Sequence, residues 1–383
     1  MLPTKPLRKV IKWLDNRNKE IVSDRLLGIN IDKAFMPSVA NIIGTDLSSY
    51  KLIQRNNFAC NPMHVGRDEK MPIALYSEDT PAIVSPAYFT FSVIDESEVN
   101  PEYLMLWFRR SEFDRECWFH TDGSVRGGIT WDEILDLRVP IPDIEVQNKI
   151  VLEYQEVEKR IAILRQINDN LEATEQAILS QILCKDGQHI SLGEIIEFID
   201  GDRGKNYPAF DEFTSEGYCL FLNASNVTST GFNFDSCMFI TREKDLAMRK
   251  GHLSPLDIVF TSRGTLGNVA LYDENVLFAN IRINSGMLIL RPKHNLFNQF
   301  VLYSLLKSSE MKVAIEQFKS GSAQPQLPIK DLEKITFSFT EDEEKILQVS
   351  EKLQEIESVI STNNAEIHKL KEAARLLLLS LSR

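Results

Sequence analysis

Cysteine is scarce in this 383-residue chain, and the five present (Cys60, Cys117, Cys184, Cys219 and Cys237) form no C-x-x-C pair. An odd, dispersed set argues against a disulfide framework or a zinc site and fits a reducing, cytoplasmic setting. Long apolar runs are absent too. Stretches such as Leu376–Leu379 fall far short of the ~20 residues a bilayer span requires, so no membrane association is expected. The opening residues Met1–Asn16 contain no apolar core of a secretory leader. No segment is basic. Residues 1–143, 144–187, 188–338 and 339–383 carry net charges of −4, −3, −2 and −3, within a total of −12. Nucleic-acid binders usually show a basic balance, so any DNA contact must come from local clusters. Apolar residues at 43% and charged residues at 26% exclude wholesale disorder.

Catalytic signatures are equally lacking. There is no G-x-x-x-x-G-K-[ST] phosphate loop. Asn61-Pro62-Met63-His64 lacks the second proline and the aromatic with which an N-P-P-[YF] motif stacks a flipped base, and no glycine-rich cofactor loop precedes it. Glu310-Met311-Lys312 has the acidic–x–Lys spacing of some nucleases, but it lies on an amphipathic helical pattern where such triplets are common. The six histidines (64, 120, 189, 252, 294, 368) show no metal-ligand spacing. No catalytic residue, metal or cofactor is assigned.

What the chain does contain is itself, twice. Phe58-Ala59-Cys60-Asn61-Pro62 and Ile73-Ala74-Leu75-Tyr76 recur as Asp257-Ile258-Val259-Phe260-Thr261 and Val269-Ala270-Leu271-Tyr272, 196 to 200 residues later. A helical pattern follows in each half, over 101–115 and 297–317. Then come Phe119-His120-Thr121-Asp122-Gly123-Ser124 and Phe318-Lys319-Ser320-Gly321-Ser322, a short strand at 136–141 or 334–339, and a long charged helix. Strand signals such as 82–94 and 286–291 make each globule a mixed α/β unit. The fold class is α+β: two similar mixed α/β globules, 1–143 and 188–338, separated by long helices at 144–187 and 339–383.

Residues 144–183 and 341–382 hold no glycine or proline. Ile150, Val157, Leu164, Leu171 and Ile178 recur every seven residues, with Tyr154, Ile161, Asn168, Glu175 and Ile182 as a second seam. In the other tail, Ile346, Leu353, Ile360, Ile367, Ala374 and Leu381 form one seam and Val349, Ile356, Asn363, Leu370 and Leu377 the other. Sustained heptads predict a coiled coil. Aligning Asn168 with Asn363 makes every antiparallel layer sum to 531: Ile161 meets Leu370, Leu164 meets Ile367, and Ile182 meets Val349. A buried polar pair can fix register at some cost in stability, so Asn168 and Asn363 are the expected register residues of an antiparallel, pseudo-two-fold coiled coil. Glu175 faces Ile356 in this scheme and is expected to snorkel outward. A helix over Ile150–Ile182 spans ~50 Å at 1.5 Å per residue. Two similar globules on such a spacer suit a ligand with two sites at fixed separation, as duplex DNA offers every ~34 Å.

The order of parts, with Pro140-Ile141-Pro142-Asp143-Ile144-Glu145-Val146-Gln147-Asn148-Lys149-Ile150 at the first junction, resembles the specificity subunit of Type I restriction–modification systems. Further matches are Leu253-Ser254-Pro255-Leu256-Asp257-Ile258-Val259-Phe260 with Arg263-Gly264-Thr265-Leu266-Gly267, and Gly321-Ser322 followed by Gln324, Gln326 and Leu327-Pro328. The resemblance implies that 1–143 and 188–338 are target recognition domains, each reading half of a split duplex sequence. The coiled coil would set the gap and dock two methyltransferase subunits, with a restriction–translocase subunit joining them; the chain itself would be non-catalytic and cofactor-free. The second junction departs from the pattern: Ser338-Phe339-Thr340-Glu341-Asp342-Glu343-Glu344 lacks the prolines and the glutamine.

Bases are read by Arg, Asn and Gln, while Lys, Ser and backbone amides hold phosphates. The candidate DNA-binding residues of the first globule are therefore His64, Arg67 and Lys70, then Ser124 and Arg126. Those of the second are Arg203, Lys205, Arg263, Thr265, Asn268, Arg282, Asn284, Lys319, Ser322, Gln324 and Gln326. Arg282 and Asn284 lie on an alternating strand that could project them to one face. The competing reading is a non-catalytic protein–protein adaptor with two ligand-binding globules on a spacer, which the acidity favours.

Overall fold

A computed structural model describes residues 4–38, 44–121, 127–321 and 325–381, and at His64 the backbone only. The chain divides into two compact units, 1–161 with 369–383, and 162–368.

In the first unit, β1 (Ile11–Leu14), β2 (Phe58–Cys60), β3 (Ile73–Leu75) and β4 (Phe89–Val93) form an antiparallel sheet in the order β1-β4-β2-β3. In the second, β5 (Ile196–Asp200), β6 (Ile258–Thr261), β7 (Val269–Leu271) and β8 (Met287–Pro292) repeat that order as β5-β8-β6-β7. Even the register repeats, since Phe58 pairs with Phe91 and Leu75, and Ile258 with Leu290 and Leu271. A short strand at the start of each globule pairs with one at its end, Thr4–Pro6 with Arg138–Pro140 and Leu183–Ser191 with Thr336–Phe339. The duplicated motifs are therefore one topology used twice.

Two helices pack on each sheet: α1 (Pro101–Phe108) and α2 (Ser111–Phe119), then α3 (Gln299–Lys307) and α4 (Ser309–Phe318). Each pair reads as one apolar pattern in the sequence but is broken. Arg110 adopts an extended conformation (ψ 141°). Ser308 does the same (ψ 158°), and its hydroxyl accepts from the Met311 amide to cap α4. The expected strand over 82–94 is also two. Ala82–Val84 pairs with Lys51–Ile53, β4 joins the main sheet, and the turn at Ser85 around Pro86 separates them. Proline has no amide to donate to a ladder, which accounts for the break.

The long helices run Ile144–Leu179 and Glu343–Ser380. In the first unit, Val151 and Tyr154 share a core with Ala374 and Leu381. In the second, Leu179 and Ile182 share one with Ile346, Val349 and Leu353. The start of each helix thus lies with the end of the other, and the pair is antiparallel. Asn363 Nδ2 donates to Asn168 Oδ1 at 2.7 Å, and Asn168 Nδ2 donates to Asn364 Oδ1 at 3.0 Å. Val151 and Leu179 of the first long helix lie outside the two heptad seams yet are buried, because Val151 packs into the core of the first globule and Leu179 into that of the second.

Glu175 departs from the expectation of an outward carboxylate: its exposure is 0%. The reason is Lys307, at the end of α3, whose ammonium lies 3.4 Å from Glu175 Oε2. A counter-charge from the globule holds the carboxylate in the seam.

The first junction explains its own glutamine. Gln147 is fully buried; its Nε2 donates to the Glu98 and Pro142 carbonyls at 2.9 and 2.7 Å, and its Oε1 accepts from the Asn100 amide at 2.9 Å. One side chain thereby ties the long helix to the N-cap of α1. The matching position 199 residues on, judged by the helix starts, is Ile346, which is buried in apolar core. Gln147→Ala orphans three backbone groups and is expected to cost about 1–3 kcal/mol, read as a lower urea midpoint.

Candidate nucleic-acid interface

In the second globule four loops are stitched together at the β6–β7 end of the sheet. The Ser262 amide and hydroxyl both donate to the Gly286 carbonyl, at 2.9 and 3.0 Å, and the Leu327 amide donates to the Ser262 carbonyl at 3.0 Å. Ser320 and Gln326 exchange two backbone bonds of 2.9 Å, and Arg263 bridges Gln326. The loop after β5 joins them through Arg203, which donates to the Ser285 carbonyl at 3.1 Å. Gly201 is needed there, because a Cβ would stand 2.3 Å from the Asn284 carbonyl oxygen. The hairpin turn between β6 and β7 requires glycine at two points, Gly264 (φ +75°) and Gly267 (φ +88°).

This framework presents Arg203, Lys205, Arg263 and Thr265 as exposed side chains. Arg203 is also paired with Asp200 at 3.1 Å. Lys319 is exposed with its ammonium 2.5 Å from Glu316. Asp202 anchors the Arg203 loop by accepting from the Arg249 and Gly204 amides, both at 2.7 Å, and those bonds hold its carboxyl below the usual range. Gln326 is half-buried, and its backbone bonds to Ser320 fix where it stands.

Three candidates of this globule do other work. Arg282 is 4% exposed: its Nε lies 2.7 Å from Asp245 Oδ1, and its other nitrogens donate to the Lys250 and Asp245 carbonyls at 2.6 and 2.8 Å. The strand Ile281–Ile283 does alternate, but both of its faces are covered, so Arg282 is corrected from a DNA contact to a buried structural ion pair. Asn268 donates to the Val227 carbonyl at 3.0 Å, tying the hairpin turn to a distant strand, and Asn284 accepts from the Gly286 amide at 2.8 Å, shaping its own turn. Ser322 and Gln324 lie outside the described residues.

The first globule builds the corresponding region from two loops. The Gly66 amide donates to the Gly127 carbonyl at 2.9 Å and the Ile129 amide to the Pro62 carbonyl at 3.3 Å. A Cβ at Gly128 would meet the Pro62 carbonyl oxygen at 2.9 Å. Arg67 is exposed but spans Asp68 with two bonds of 2.7 and 2.9 Å, and Lys70 is exposed. His64 lies in the 3-10 turn Pro62–His64, which Asn61 caps by accepting from the Met63 amide at 3.2 Å. Asn61 therefore has a local structural task. Ser124 and Arg126 lie outside the described residues.

Elsewhere, burial pushes the Cys219 thiol up to about 12 and the Cys60 and Cys117 thiols upward as well, against thiolate chemistry at these three. The ligand atoms of Cys219, Asp245 and His252 lie within 4.8 Å of one another, but Arg282 already supplies the positive charge there. Among the described residues no helix is long and apolar enough to cross a membrane.

A duplicated globule, each copy with a loop-built polar end, on antiparallel long helices defines a two-module recognition protein. The comparisons agree. The family model for the Type I restriction modification DNA specificity domain matches residues 185–372. The S subunit of a Type I restriction–modification system from M. genitalium shares the fold, with TM-score 0.57 and 16% identity over 100% of this chain and 96% of that one. A chain from work on complex assembly and conformational transition of the type I R-M system aligns at TM-score 0.47 with 17% identity, over 100% and 99% of the two chains. The HsdS subunit of Thermoanaerobacter tengcongensis aligns at TM-score 0.37 with 16% identity, over 99% and 96%. No curated protein sequence matches. Residues 185–372 thus match the Type I restriction modification DNA specificity domain, and the chain as a whole shares the fold of a Type I S subunit.

Proposed function

We propose that each globule reads one half of a bipartite duplex DNA target. The long helices set the gap and dock two methyltransferase subunits, to which a restriction–translocase subunit adds, and this chain contributes recognition without catalysis. The observation that carries the reading is the exact-order repeat of the sheet in a chain whose second half matches a DNA specificity domain. Base and phosphate contacts are assigned to the exposed cations of the stitched loops: Arg67 and Lys70 in one globule, and Arg203, Lys205, Arg263 and Lys319 in the other, with Thr265 beside them. Asn168 and Asn363 act as the register pair.

The test is co-expression with the neighbouring methyltransferase gene, followed by gel filtration and footprinting. A complex with two methyltransferase copies protecting a split sequence is expected, and exchanging residues 188–338 for those of a relative should change one half of that sequence only. A chain that stays alone and ignores duplex DNA with or without the partner would instead support the adaptor reading.

Two further results are expected. Arg263→Ala in the complex should weaken specific binding by about 1–3 kcal/mol and relax selectivity in one half-site, measured by competition against single-base variants. With its net charge of −12, the isolated chain should bind random DNA weakly at physiological salt, because partner subunits supply most phosphate contacts.

A further inference from the structure

We propose that Lys307 is a positioning residue: it clamps the second globule to both long helices and so fixes the half-site spacing at which that globule reads DNA. The DNA part of this inference rests on the function proposed above. Lys307 ends α3, the helix packed on the second sheet. Its ammonium lies 3.2 Å from Glu172 and 3.4 Å from Glu175 on the first long helix, and 3.6 Å from Glu357 on the second. It also lies 4.9 Å from the centre of the Tyr303 ring, and its side chain is 12% exposed. Gln176 adds a neutral tie, donating to the Ser304 carbonyl at 3.2 Å. One cation of the globule thus meets acids from both helices.

The repeat supplies the comparison. Counting from the N-caps Asn100 and Asn298, the counterpart of Lys307 is Arg109. Arg109 is exposed, donates to the Tyr154 hydroxyl at 3.4 Å and lies 5.7 Å from the centre of that ring. Counting from the long-helix starts, the counterpart of Glu357 is Glu158, which is exposed. The same topology carries a buried ionic clamp in one half and a surface contact in the other.

The physical difference lies in directionality. Apolar packing is non-directional and tolerates sliding. A carboxylate buried beside one ammonium does not, because displacement leaves a charge unpaired in a low-dielectric site. One base pair of duplex is a displacement of about 3.4 Å with a rotation of about 34–36°. Glu175 at 0% and Glu357 at 6% exposure hold α3 against movement on that scale.

Removing Lys307 alone strands Glu175, so the informative variant replaces the buried cluster by apolar groups: Lys307→Met with Glu175→Leu and Glu357→Leu. Such replacements of buried ionic clusters are often neutral or stabilising. In the methyltransferase complex, parental and variant proteins are compared on duplexes carrying both half-sites at the parental spacing and at one base pair more or less. The variant is expected to melt no lower than the parent, to bind the parental spacing within about threefold, and to lose roughly tenfold in discrimination against the altered spacings. A merely structural role would weaken all three duplexes together. A well-folded variant with undiminished spacing discrimination overturns the proposal. Hydrogen exchange on the free protein reads the clamp without DNA: the variant should exchange faster over 299–307 and 172–176. Unchanged exchange there overturns the clamp, whereas faster exchange in a protein that protects no split sequence means that the functional reading, not the clamp, is at fault.

Discussion

Arg282→Met is expected to destabilise the second globule by about 3–5 kcal/mol, lowering its urea midpoint while leaving that of the first globule in place. The loss has three parts. Asp245, 4% exposed, keeps a carboxylate with no counter-charge at 2.7 Å. The Lys250 carbonyl loses its donor at 2.6 Å and the Asp245 carbonyl its donor at 2.8 Å. A buried acceptor without a partner costs its desolvation, about 1–3 kcal/mol each. Asp245→Asn added to Arg282→Met removes the stranded charge and should recover part of the loss. This prediction separates two roles for one arginine. A DNA contact would leave the urea midpoint unchanged and reduce the salt slope of binding by about one. The buried pair predicts the opposite, a shifted midpoint and an unshifted slope.

Arg282 also shows where the sequence could be read and where it could not. The pattern Ile281-Arg282-Ile283-Asn284 does alternate, and Ile281 and Ile283 do enter an apolar core. Alternation distinguishes the two faces of a strand but does not say what covers the second face. Here that cover comes from Arg242–Ala247, which carries Asp245 and lies nearly 40 residues earlier in the chain. A contact so distant leaves no local signature. Glu175 fails in the same way: its heptad position was legible, but the lysine that neutralises it belongs to a helix 132 residues away. By contrast, the antiparallel long helices and the duplicated sheet were legible, because each rests on a periodicity or a repeat contained within the sequence. The broken helices at Arg110 and Ser308 fall between these cases. The Ser308 cap is a local signal masked by the apolar pattern running on either side of it.

The loop candidates divide by the same logic. Residue type nominated Asn268 and Asn284 as readers of adenine, yet Asn284 spends its side-chain oxygen on its own turn and Asn268 spends its amide on the distant Val227 carbonyl. Asn favours turns because its short polar side chain bonds nearby backbone, so its presence in a loop says little about a ligand. Whereas Arg203 itself ties its loop to the Ser285 carbonyl, Lys205 and Arg263 are more informative because bonds other than their own side chains hold their loops in place. Such cations can exchange surface partners for phosphate or base edges at small cost to the fold.

Glu357→Gln is expected to stabilise the protein at alkaline pH and to remove a pH dependence that the parent shows. Burial pushes the Glu357 carboxyl up to about 8, Lys307 opposes the shift, and Glu175 and Glu172 reinforce it. The facing groups are thus Lys307 from α3, Glu172 and Glu175 from the first long helix, and Tyr303 behind the ammonium. The folded state then holds a proton that the unfolded chain, with a carboxyl near 4.5, has already released. Where the folded state binds more protons, stability falls as pH rises. The contribution is complete below about pH 4.5, declines as pH climbs toward 8, and is constant above that. Gln keeps the neutral form at every pH, so the stability difference between variant and parent should be smallest at pH 5, grow through pH 7, and level off above pH 8. Urea unfolding of both proteins across pH 5–9 measures it. The carboxyls held low, such as Asp202 and Glu212, titrate below this window and cancel in the difference. A flat difference would mean that Glu357 is ionised in the folded protein at neutral pH. Lys307 would then face three carboxylates at once.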